Sequence, residues 1–221
     1  MKLFLDTANF DHIQHVNAWG VLDGVTTNPT LLAKEATGAK DYKQMLKDIC
    51  AEVDGPVSAE VVSGDTEAML AEARDLVQIA DNIYVKFPCV PAGLAATKVA
   101  RSEGIRVNMT LVFSPAQALL AAKAGANFIS PFLGRIDDVA SGGMDILAQC
   151  IEVVKNYGFD SEILASSLRH PMHIVEAARL RSDIATMPFD VFTKLVKHPL
   201  TDIGLQRFID DWNEAREALG A

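Results

Sequence analysis

Residues 83–102 read IYVKFPCVPAGLAATKVARS and contain the pattern that decides the fold. The first part, residues 83–87, is a short run that is apolar at odd and even positions alike, apart from Lys86. Such a run is typical of a strand that is buried on both faces of a parallel sheet. The second part, residues 93–102, has the apolar spacing of an amphipathic helix. This stretch therefore predicts one strand followed by one helix.

The same unit recurs along the whole chain. Seven further runs resemble the first one: residues 3–6, 24–27, 57–62, 107–111, 128–131, 163–166 and 184–187. Helical patterns lie between them, for example at residues 66–79, 115–124 and 145–156. The pattern at 115–124 is bounded by Ser114 and Gly125, which are residue types preferred at the two ends of a helix.

Eight such units, spaced by roughly 20 to 35 residues, predict an α/β fold: a single (β/α)8 TIM barrel over residues 1–221. An open, doubly wound sheet is the alternative. That fold usually has fewer strands and a glycine-rich turn after the first of them. Here the first run is followed by Asp6-Thr7-Ala8-Asn9, which contains no glycine. The sequence therefore favours the barrel.

An extra C-terminal helix is predicted after His198 and Pro199, from about residue 200 to residue 219. It carries an apolar stripe: Leu205, Phe208, Ile209, Trp212 and Leu219. The stripe could pack on the barrel of its own chain. Alternatively, it could dock on a neighbouring subunit, for which large apolar side chains are suited.

The composition restricts the partners and the compartment. The 221 residues include 29 acidic and 20 basic ones, which gives a formal net charge of −9. Such a surface repels nucleic acid and anionic membranes, so an anionic substrate needs a local cluster of arginine or lysine. Three cysteines without metal-binding spacing, and no apolar run long enough for a signal or a membrane span, predict a cytoplasmic protein with reduced thiols.

Polar residues stand where the predicted strands end, which is where barrels build their sites. They are Asp6, Thr27, Asn28, Glu60, Lys86, Asn108, Thr110, Ser130, Ser166 and Ser167, and Phe132 accompanies them. Any one of them could merely cap a helix or satisfy a loop. Because seven of the eight runs contribute a polar group, we expect these residues to form one site.

Lys86 is the most informative of these residues. Desolvation disfavours the charged ammonium, so a lysine in an apolar strand tends toward the neutral amine. A neutral amine can attack a ketone and form an imine, which serves as an electron sink for C–C cleavage. The alternative is a buried structural ion pair between Lys86 and either Glu60 or Asp6.

The neighbouring polar groups suit the same chemistry. Asp6 could act as general acid/base at a substrate hydroxyl, and Glu60 with Thr110 could hold the water that is released on imine formation. Asn28 and Asn108 both donate and accept hydrogen bonds, as a polyol requires. Asn28 could equally serve as the start of a helix, since it lies in Thr-Asn-Pro-Thr.

A phosphate site is predicted after the sixth and seventh strands. Arg135, Ser167 and Arg169 provide two guanidinium groups and a hydroxyl, which suit a phosphate monoester. The alternative is that Arg135 pairs with Asp137 or Asp138 and that Arg169 is solvated. The histidines have no metal-binding spacing with a carboxylate, so no metal site is predicted.

Six segments, taken in order, resemble the transaldolase family. They are FLDTA (4–8), GVTTNPT (24–30), VKFP (85–88), NMTLVFS (108–114), SPFLGR (130–135) and ASSLR (165–169). The whole chain is most similar to the short microbial branch, which also contains the fructose-6-phosphate aldolases. The resemblance implies a barrel with a Schiff-base lysine on the fourth strand, and Lys86 lies on the fourth run counted here.

The resemblance also implies a role for each site residue. Asp6 would transfer protons, Glu60 and Thr110 would surround the catalytic water, and the remaining residues would contact substrate or its phosphate: Asn28, Asn108, Ser130, Arg135, Ser167 and Arg169. Members transfer a dihydroxyacetone unit from sedoheptulose 7-phosphate or fructose 6-phosphate to an aldose phosphate in the pentose phosphate pathway. They use no metal or organic cofactor, and the short branch forms ring-shaped pentamers or decamers whose C-terminal helices reach neighbouring subunits.

Two positions separate the activities within the branch. The aldolases usually have Gln where this chain has Glu60, and Tyr where it has Phe132. Both residues match the transferases, so the resemblance implies a transaldolase. A fructose-6-phosphate aldolase and a non-catalytic barrel that binds sugar phosphates are the alternatives.

Overall fold

The computed structural model describes residues 1–35 and 41–219. Its strands are β1 (Lys2–Asp6), β2 (Gly24–Thr26), β3 (Val57–Glu60), β4 (Ile83–Pro88), β5 (Val107–Val112), β6 (Phe128–Pro131), β7 (Glu162–Ala165) and β8 (Ile184–Met187). Each strand pairs in parallel with the next one, and β8 pairs with β1, so the sheet is closed. The predicted barrel is confirmed. The alternative of an open sheet is wrong, since an open sheet has two edge strands and this sheet has none.

Helices connect the strands, as the predicted units require. They are α1 (Phe10–Asn17), α2 (Pro29–Glu35), α3 (Tyr42–Glu52), α4 (Thr66–Leu76), α5 (Pro91–Ser102), α6 (Pro115–Ala124), α7 (Leu133–Asp137), α8 (Gly143–Asn156), α9 (Pro171–Arg179), α10 (Phe189–Lys194) and α11 (Pro199–Leu219). The predicted extra C-terminal helix is α11. The predicted domain, residues 1–221, includes residues 36–40 and 220–221, which lie outside the described residues.

The inside of the barrel has an apolar lower layer near the N-terminal ends of the strands. Five strands contribute one side chain each: Phe4, Tyr84, Phe128, Leu164 and Ile184. The ring centroids of Tyr84 and Phe128 lie 4.4 Å apart, and those of Phe4 and Phe128 lie 6.0 Å apart. Gly24 leaves room for this layer, because a Cβ there would lie 2.6 Å from Phe4 Cζ.

The upper layer of the barrel interior is polar. Side chains alternate between the two faces of a strand, so residues i and i+2 share a face. Two residues beyond the lower layer, the same five strands carry Asp6, Lys86, Ser130, Ser166 and Thr186. The apolar layer therefore forms a floor, and the polar layer lies above it, where the βα loops meet.

Local side-chain contacts set several element boundaries. Strand β3 ends at Glu60 rather than at the predicted residue 62, because the Val62 and Ser63 amides donate to the Glu72 carboxylate at 2.8 and 3.1 Å. Helix α4 ends at Leu76 rather than at residue 79, where a turn bonds the Ile79 amide to Leu76 O at 3.0 Å. The predicted bounds of α6 are correct.

Helix α11 has no buried residue in the single chain. The exposed fractions of its apolar stripe run from 46% for Ile209 to 78% for Leu219. The stripe therefore does not pack on the barrel of its own chain. No helix within residues 1–35 and 41–219 is long and apolar enough to cross a membrane.

Candidate active site

A polar cavity of about 110 Å³ opens at the carboxyl ends of the strands. Its lining consists of Asp6, Thr26, Asn28, Lys86, Asn108, Ser130, Phe132, Arg135, Ser166, Ser167 and Thr186. Eight of the twelve predicted site residues are in this set; Thr27, Glu60, Thr110 and Arg169 are not. The cavity lies where the polar upper layer of the barrel meets the loops, as the strand-end argument predicts.

Lys86 lies in the middle of the strand ends and is only 4% exposed. Its Nζ is 2.8 Å from Glu60 Oε2 and donates to the Thr27 carbonyl oxygen at 3.1 Å. The pairing of β3 with β4 brings the Lys86 amine and the Glu60 carboxylate together, because the two residues are register partners. The ion pair that the sequence left open is therefore formed with Glu60. The Lys86 amine borders the cavity. The Glu60 carboxylate therefore lies where it can accept a proton from an amine that can react with a substrate.

Thr27 contributes its backbone to this arrangement. Its hydroxyl donates to the Ser58 carbonyl oxygen at 2.8 Å, and the side chain is fully buried. The Thr27 side chain thus ties the end of β2 to β3, and it is not part of the cavity lining.

Asp6 lies at the end of β1, beside Thr26 of β2. The Thr26 hydroxyl donates to Asp6 Oδ1 at 2.7 Å. Burial raises the pKa of Asp6, while the positive charge of Lys86 and the Thr26 hydrogen bond lower it and the charge of Glu60 raises it. Burial has the largest effect, so the Asp6 carboxyl holds a proton more readily than an exposed aspartate, as suits a general acid/base.

Asn108 belongs to a hydrogen-bonded chain across three strands. Its Nδ2 donates to Ser58 Oγ at 3.1 Å, and Ser130 Oγ donates to its Oδ1 at 2.6 Å. All three side chains are buried. The two bonds fix the orientation of the amide, so the Asn108 and Ser130 groups that face the cavity are held in place before a substrate binds.

Thr110 follows on β5, two residues after Asn108. Among the described residues, its Oγ1 is the buried side-chain polar atom without a hydrogen-bond partner. The next residue, Leu111, has φ +55°, and the pairing of β5 with β6 shifts register between Met109 and Val112. A left-handed φ at a leucine is strained, and such strain tends to occur at functional sites. The Thr110 hydroxyl is therefore available to hold a water or a substrate oxygen.

Asn28 forms the helix-start contact that the sequence left open, and it lies where a substrate contact was predicted. Its Oδ1 accepts a hydrogen bond from the Leu31 amide at 3.0 Å, which is the bond of a helix start at α2. The side chain also lines the cavity, where its Nδ2 group can donate to a substrate hydroxyl.

Phe132 and Arg135 form the edge of the cavity that faces the loop after β7. The Arg135 guanidinium lies over the Phe132 ring, with Cζ 5.3 Å from the centroid. Among the described residues Arg135 makes no ion pair. The alternative pairing with Asp137 or Asp138 is therefore not formed, and the charge of Arg135 can act on an anion.

Gly134 allows helix α7 to approach the loop that carries Ser167. Its amide donates to Ser167 O at 3.1 Å, and a Cβ at this position would lie 2.2 Å from that same oxygen. Ser167 itself has φ +58°, a conformation that costs energy for a residue with a side chain. The close contact holds Arg135 and Ser167 on the same side of the cavity.

Arg169 was predicted to bind phosphate, but in this structure it binds a neighbouring carboxylate instead. Its guanidinium binds both oxygens of the Asp138 carboxylate, and it does not line the cavity. This hydrogen bond also holds the pKa of Asp138 below its ordinary range. The alternative of a solvated Arg169 is therefore only half correct, since the side chain is exposed but paired.

Three residues of the site were not predicted: Thr26 and Thr186 line the cavity, and Ser58 binds Asn108. Ser166 was recognised only as a strand-end residue. The signal for the others was the alternation along the strands, because Ser58 precedes Glu60 by two residues and Thr186 follows the apolar Ile184 by two.

A larger cavity, of about 420 Å³, lies beside helices α2, α3 and α4. It is lined mainly by apolar side chains such as Leu32, Leu46 and Leu76, and Glu60 reaches its edge. Among the described residues, no lysine or arginine lines it. Within residues 1–35 and 41–219, no group of three or more His, Cys, Asp and Glu side chains is arranged to hold a metal ion.

Solved structures resemble this chain in fold. The thiamine phosphate pyrophosphorylase from Pyrococcus furiosus superimposes with a TM-score of 0.61 over 88% of this chain and 93% of that one. The two sequences are 15% identical. At this identity the likeness concerns the barrel alone.

Similarity in sequence is far more specific. The chain is 52% identical over 220 residues to a probable transaldolase of Kosmotoga olearia, with both chains fully covered. It is 54% identical to a probable transaldolase of Aquifex aeolicus, over 98% of this chain and 99% of that one. The profile of the family Transaldolase/Fructose-6-phosphate aldolase matches residues 3–219. With the fold and the cavity described above, the chain belongs to the transaldolase/fructose-6-phosphate aldolase family.

Proposed function

We propose that this enzyme is a transaldolase that works through a Schiff base on Lys86. It transfers a dihydroxyacetone unit from fructose 6-phosphate or sedoheptulose 7-phosphate to an aldose phosphate, in the pentose phosphate pathway of the cytoplasm and without a metal or organic cofactor. The observation that carries the proposal is the position of Lys86, which is buried and lines the polar cavity. Its Nζ lies 2.8 Å from Glu60 Oε2.

Formation of the imine requires an unprotonated amine and the loss of one water. Glu60 can accept a proton from Nζ, which frees the nitrogen lone pair for attack on the C2 carbonyl of the ketose. The resulting carbinolamine loses its hydroxyl as water when Glu60 returns a proton to that oxygen. The Thr110 hydroxyl, which has no hydrogen-bond partner among the described residues, supports this step, because it can hold the departing water.

Cleavage of the C3–C4 bond requires a base at the C4 hydroxyl. In its carboxylate form, Asp6 can take that proton while the bonding electrons move into the imine, which becomes an enamine. The aldose phosphate then leaves with a new carbonyl group. Transfer is the reverse sequence with a second aldose phosphate, in which Asp6 returns the proton to the new C4 oxygen.

Recognition of the sugar and of its phosphate is divided between two sides of the cavity. Asn28, Asn108 and Ser130 offer donors and acceptors to the hydroxyl groups. Arg135 and Ser167 lie on the loop side, where a charge-assisted hydrogen bond to phosphate is strong. For Arg169 to take part, its guanidinium has to leave or share Asp138.

Phe132 supports a transferase over an aldolase. Its half-buried ring lines the cavity and is covered by the Arg135 guanidinium. A phenyl ring cannot supply a proton to the enamine, whereas a tyrosine hydroxyl could. The enamine is therefore expected to persist until an acceptor aldehyde arrives.

Borohydride reduction in the presence of fructose 6-phosphate tests the Schiff base. We expect a three-carbon adduct on the Lys86 peptide in mass spectrometry, and no turnover by Lys86→Ala. Lys98→Ala, which alters an exposed lysine of α5, is the control and should behave like the wild type. An adduct on another lysine would refute the mechanism. Release of dihydroxyacetone at the same rate with and without erythrose 4-phosphate would identify an aldolase instead.

A further inference from the structure

Two threonines that the proposed mechanism does not use connect β8 to Asp6. Thr26 Oγ1 lies 2.7 Å from Asp6 Oδ1 and also 2.7 Å from Thr186 Oγ1. Each threonine is only 3% exposed, and both line the cavity. Strand β1 lies between β2 and β8, so this chain of hydroxyls joins three neighbouring strands at the carboxyl group.

The charge of Asp6 fixes the direction of these hydrogen bonds. A hydroxyl has one proton and can donate one hydrogen bond, while a carboxylate can only accept. When Asp6 is ionised, Thr26 therefore donates to Asp6 and must accept from Thr186. A hydroxyl that accepts a hydrogen bond becomes a stronger donor, so Thr186 strengthens the bond that Thr26 makes to the carboxylate.

Protonation of Asp6 permits the opposite direction. The carboxyl O–H can then donate to Thr26, and Thr26 can donate to Thr186, by rotation of both hydroxyls without cleavage of an O–H bond. In that state Thr186 accepts a hydrogen bond from Thr26 and no longer donates one to it. A neutral carboxyl with its proton on Oδ2 can still accept at Oδ1, but a carboxylate is the stronger acceptor. The chain in the first direction therefore stabilises the ionised form of Asp6 more than the neutral form.

We propose that Thr186 is a positioning residue that acts through Thr26 to orient the Asp6 carboxyl group and to favour its ionised form. The inference rests on the proposed function in one respect, namely that Asp6 is the acid/base of the reaction. The charged groups around Asp6 are Lys86 of β4 and Glu60 of β3, with Arg135 of α7 in the same cavity. Thr186 adds no charge, so its effect is separable from theirs.

The pKa of the Asp6 carboxyl is the quantity to measure. In the full-length protein, ¹³C-labelled aspartate is followed by NMR against pH, and the Asp6 signal is assigned by its loss in Asp6→Asn. We expect Thr186→Val to raise this pKa by about 0.3 unit, because only the strengthening that Thr186 gives to the bond between Thr26 and the carboxylate is lost. Valine keeps the β-branched shape, and thermal unfolding verifies the fold. Thr186→Ser keeps the hydroxyl and should restore the wild-type value.

A double substitution tests whether Thr186 acts through Thr26. Thr26→Val should raise the pKa at least as much as Thr186→Val does, and Thr186→Val should add nothing in the Thr26→Val background. The acid limb of the pH profile of kcat should move with the NMR value, while KM changes little.

Two outcomes would overturn the inference: an Asp6 pKa that Thr186→Val leaves unchanged, or an equal rise in the Thr26→Val background. Borohydride labelling of the same variants separates the two proposals. Failure to label Lys86 in the wild type refutes the Schiff base and leaves the NMR titration valid. An unchanged titration with normal labelling refutes only the role of Thr186.

Discussion

Asp6 is a residue at which the proposed chemistry and the stability of the fold have opposite requirements. Because its pKa is raised by burial, the folded protein binds this proton more tightly than the unfolded chain does. The associated stability is fully present below the pKa of the unfolded chain and is lost as the pH rises through the folded pKa. At higher pH the ionised Asp6 therefore destabilises the folded enzyme.

We accordingly predict that Asp6→Asn abolishes turnover and raises the thermal stability at neutral pH. Asparagine has the same shape but carries no charge to desolvate. A gain of about 1 kcal/mol in the free energy of unfolding would raise Tm by about 2–4 °C in a domain of this size. Calorimetry at several pH values checks the prediction, since the gain should shrink toward acidic pH.

Asp81→Asn is the control for the Asp6 substitution, because Asp81 is exposed and its replacement relieves no burial of charge. A loss of stability in Asp6→Asn at neutral pH would show that the attraction to Lys86 outweighs burial. That result would contradict the direction of the pKa shift.

The sequence predicted the location of site residues that lie on strands better than that of site residues in loops. Lys86 and Asp6 were found because polar residues toward the carboxyl ends of apolar barrel strands commonly face the mouth, and Asn108 lines the same cavity from the start of β5. The partner of Arg169 could not be predicted in this way. Its bond to Asp138 joins two loops that are 31 residues apart in the chain, and loop geometry is not encoded in residue spacing.

At the scale of elements, helix α7 and the loop after β7 act as one unit. Gly134 brings the two together. Helix α7 carries Arg135, and the loop carries the other two predicted phosphate ligands, Ser167 and Arg169. The structure distinguishes these ligands, since Arg135 lines the cavity without an ion pair among the described residues, whereas Arg169 is held by Asp138.

We therefore predict that Arg135→Ala impairs the binding of phosphorylated sugars more than Arg169→Ala does. A charged hydrogen bond contributes about 1.5–3 kcal/mol, which corresponds to a rise in KM of about 10- to 100-fold. Arg169→Ala should raise KM less. Arg169 can bind the phosphate only if its guanidinium leaves or shares Asp138, and that cost reduces its net contribution to the binding free energy. Steady-state kinetics with fructose 6-phosphate and with unphosphorylated fructose compare the two variants.

Arg179→Ala, at an exposed position on α9, is the matched control for the loss of one positive charge. Equal losses for both sugars in Arg135→Ala would mean that the arginine supports the fold. Equal effects of Arg135→Ala and Arg169→Ala would mean that Arg169 moves into the cavity without a penalty.

The boundaries of elements were predictable where the determining groups are local in sequence. Helix α6 begins at the Ser114 cap and ends at Gly125, which has φ +92°. Strand β3 ended earlier than predicted because Glu72, on the next helix, binds the amides after Glu60. An apolar residue such as Val62 looks like part of the strand in the sequence, yet it is 74% exposed.

At the scale of the whole molecule, closure of the barrel followed from the number of units and from the turn after the first strand. Strands that are apolar on both faces indicate a covered parallel sheet, whether open or closed, and the count of eight units without a glycine-rich first turn favoured the closed one. The two interior layers also follow from the alternation along each strand, and they explain why the polar cavity lies above an apolar floor.

Helix α11 is the part of the molecule that the single chain does not explain. A helix of 21 residues without a buried side chain gains little from packing, and isolated helices are marginal in water. Phe208 and Trp212 are 71% and 62% exposed, and an apolar stripe of this kind marks an interaction surface. We propose that it docks on a neighbouring copy of the chain in a ring of five subunits or a pair of such rings, as the family resemblance implies.

This proposal predicts a particle mass equal to five or ten chains in sedimentation equilibrium. The double substitution Phe208→Glu and Trp212→Glu should dissociate the assembly, because it places two charges in an apolar interface where they cannot be solvated. The control is Gln206→Glu with Asn213→Glu, which adds the same charge to the same helix outside the stripe and should leave the assembly intact. A monomeric wild type would refute the proposal. If both double substitutions dissociate the assembly, the effect comes from added charge anywhere on α11, and the stripe is not specifically the interface.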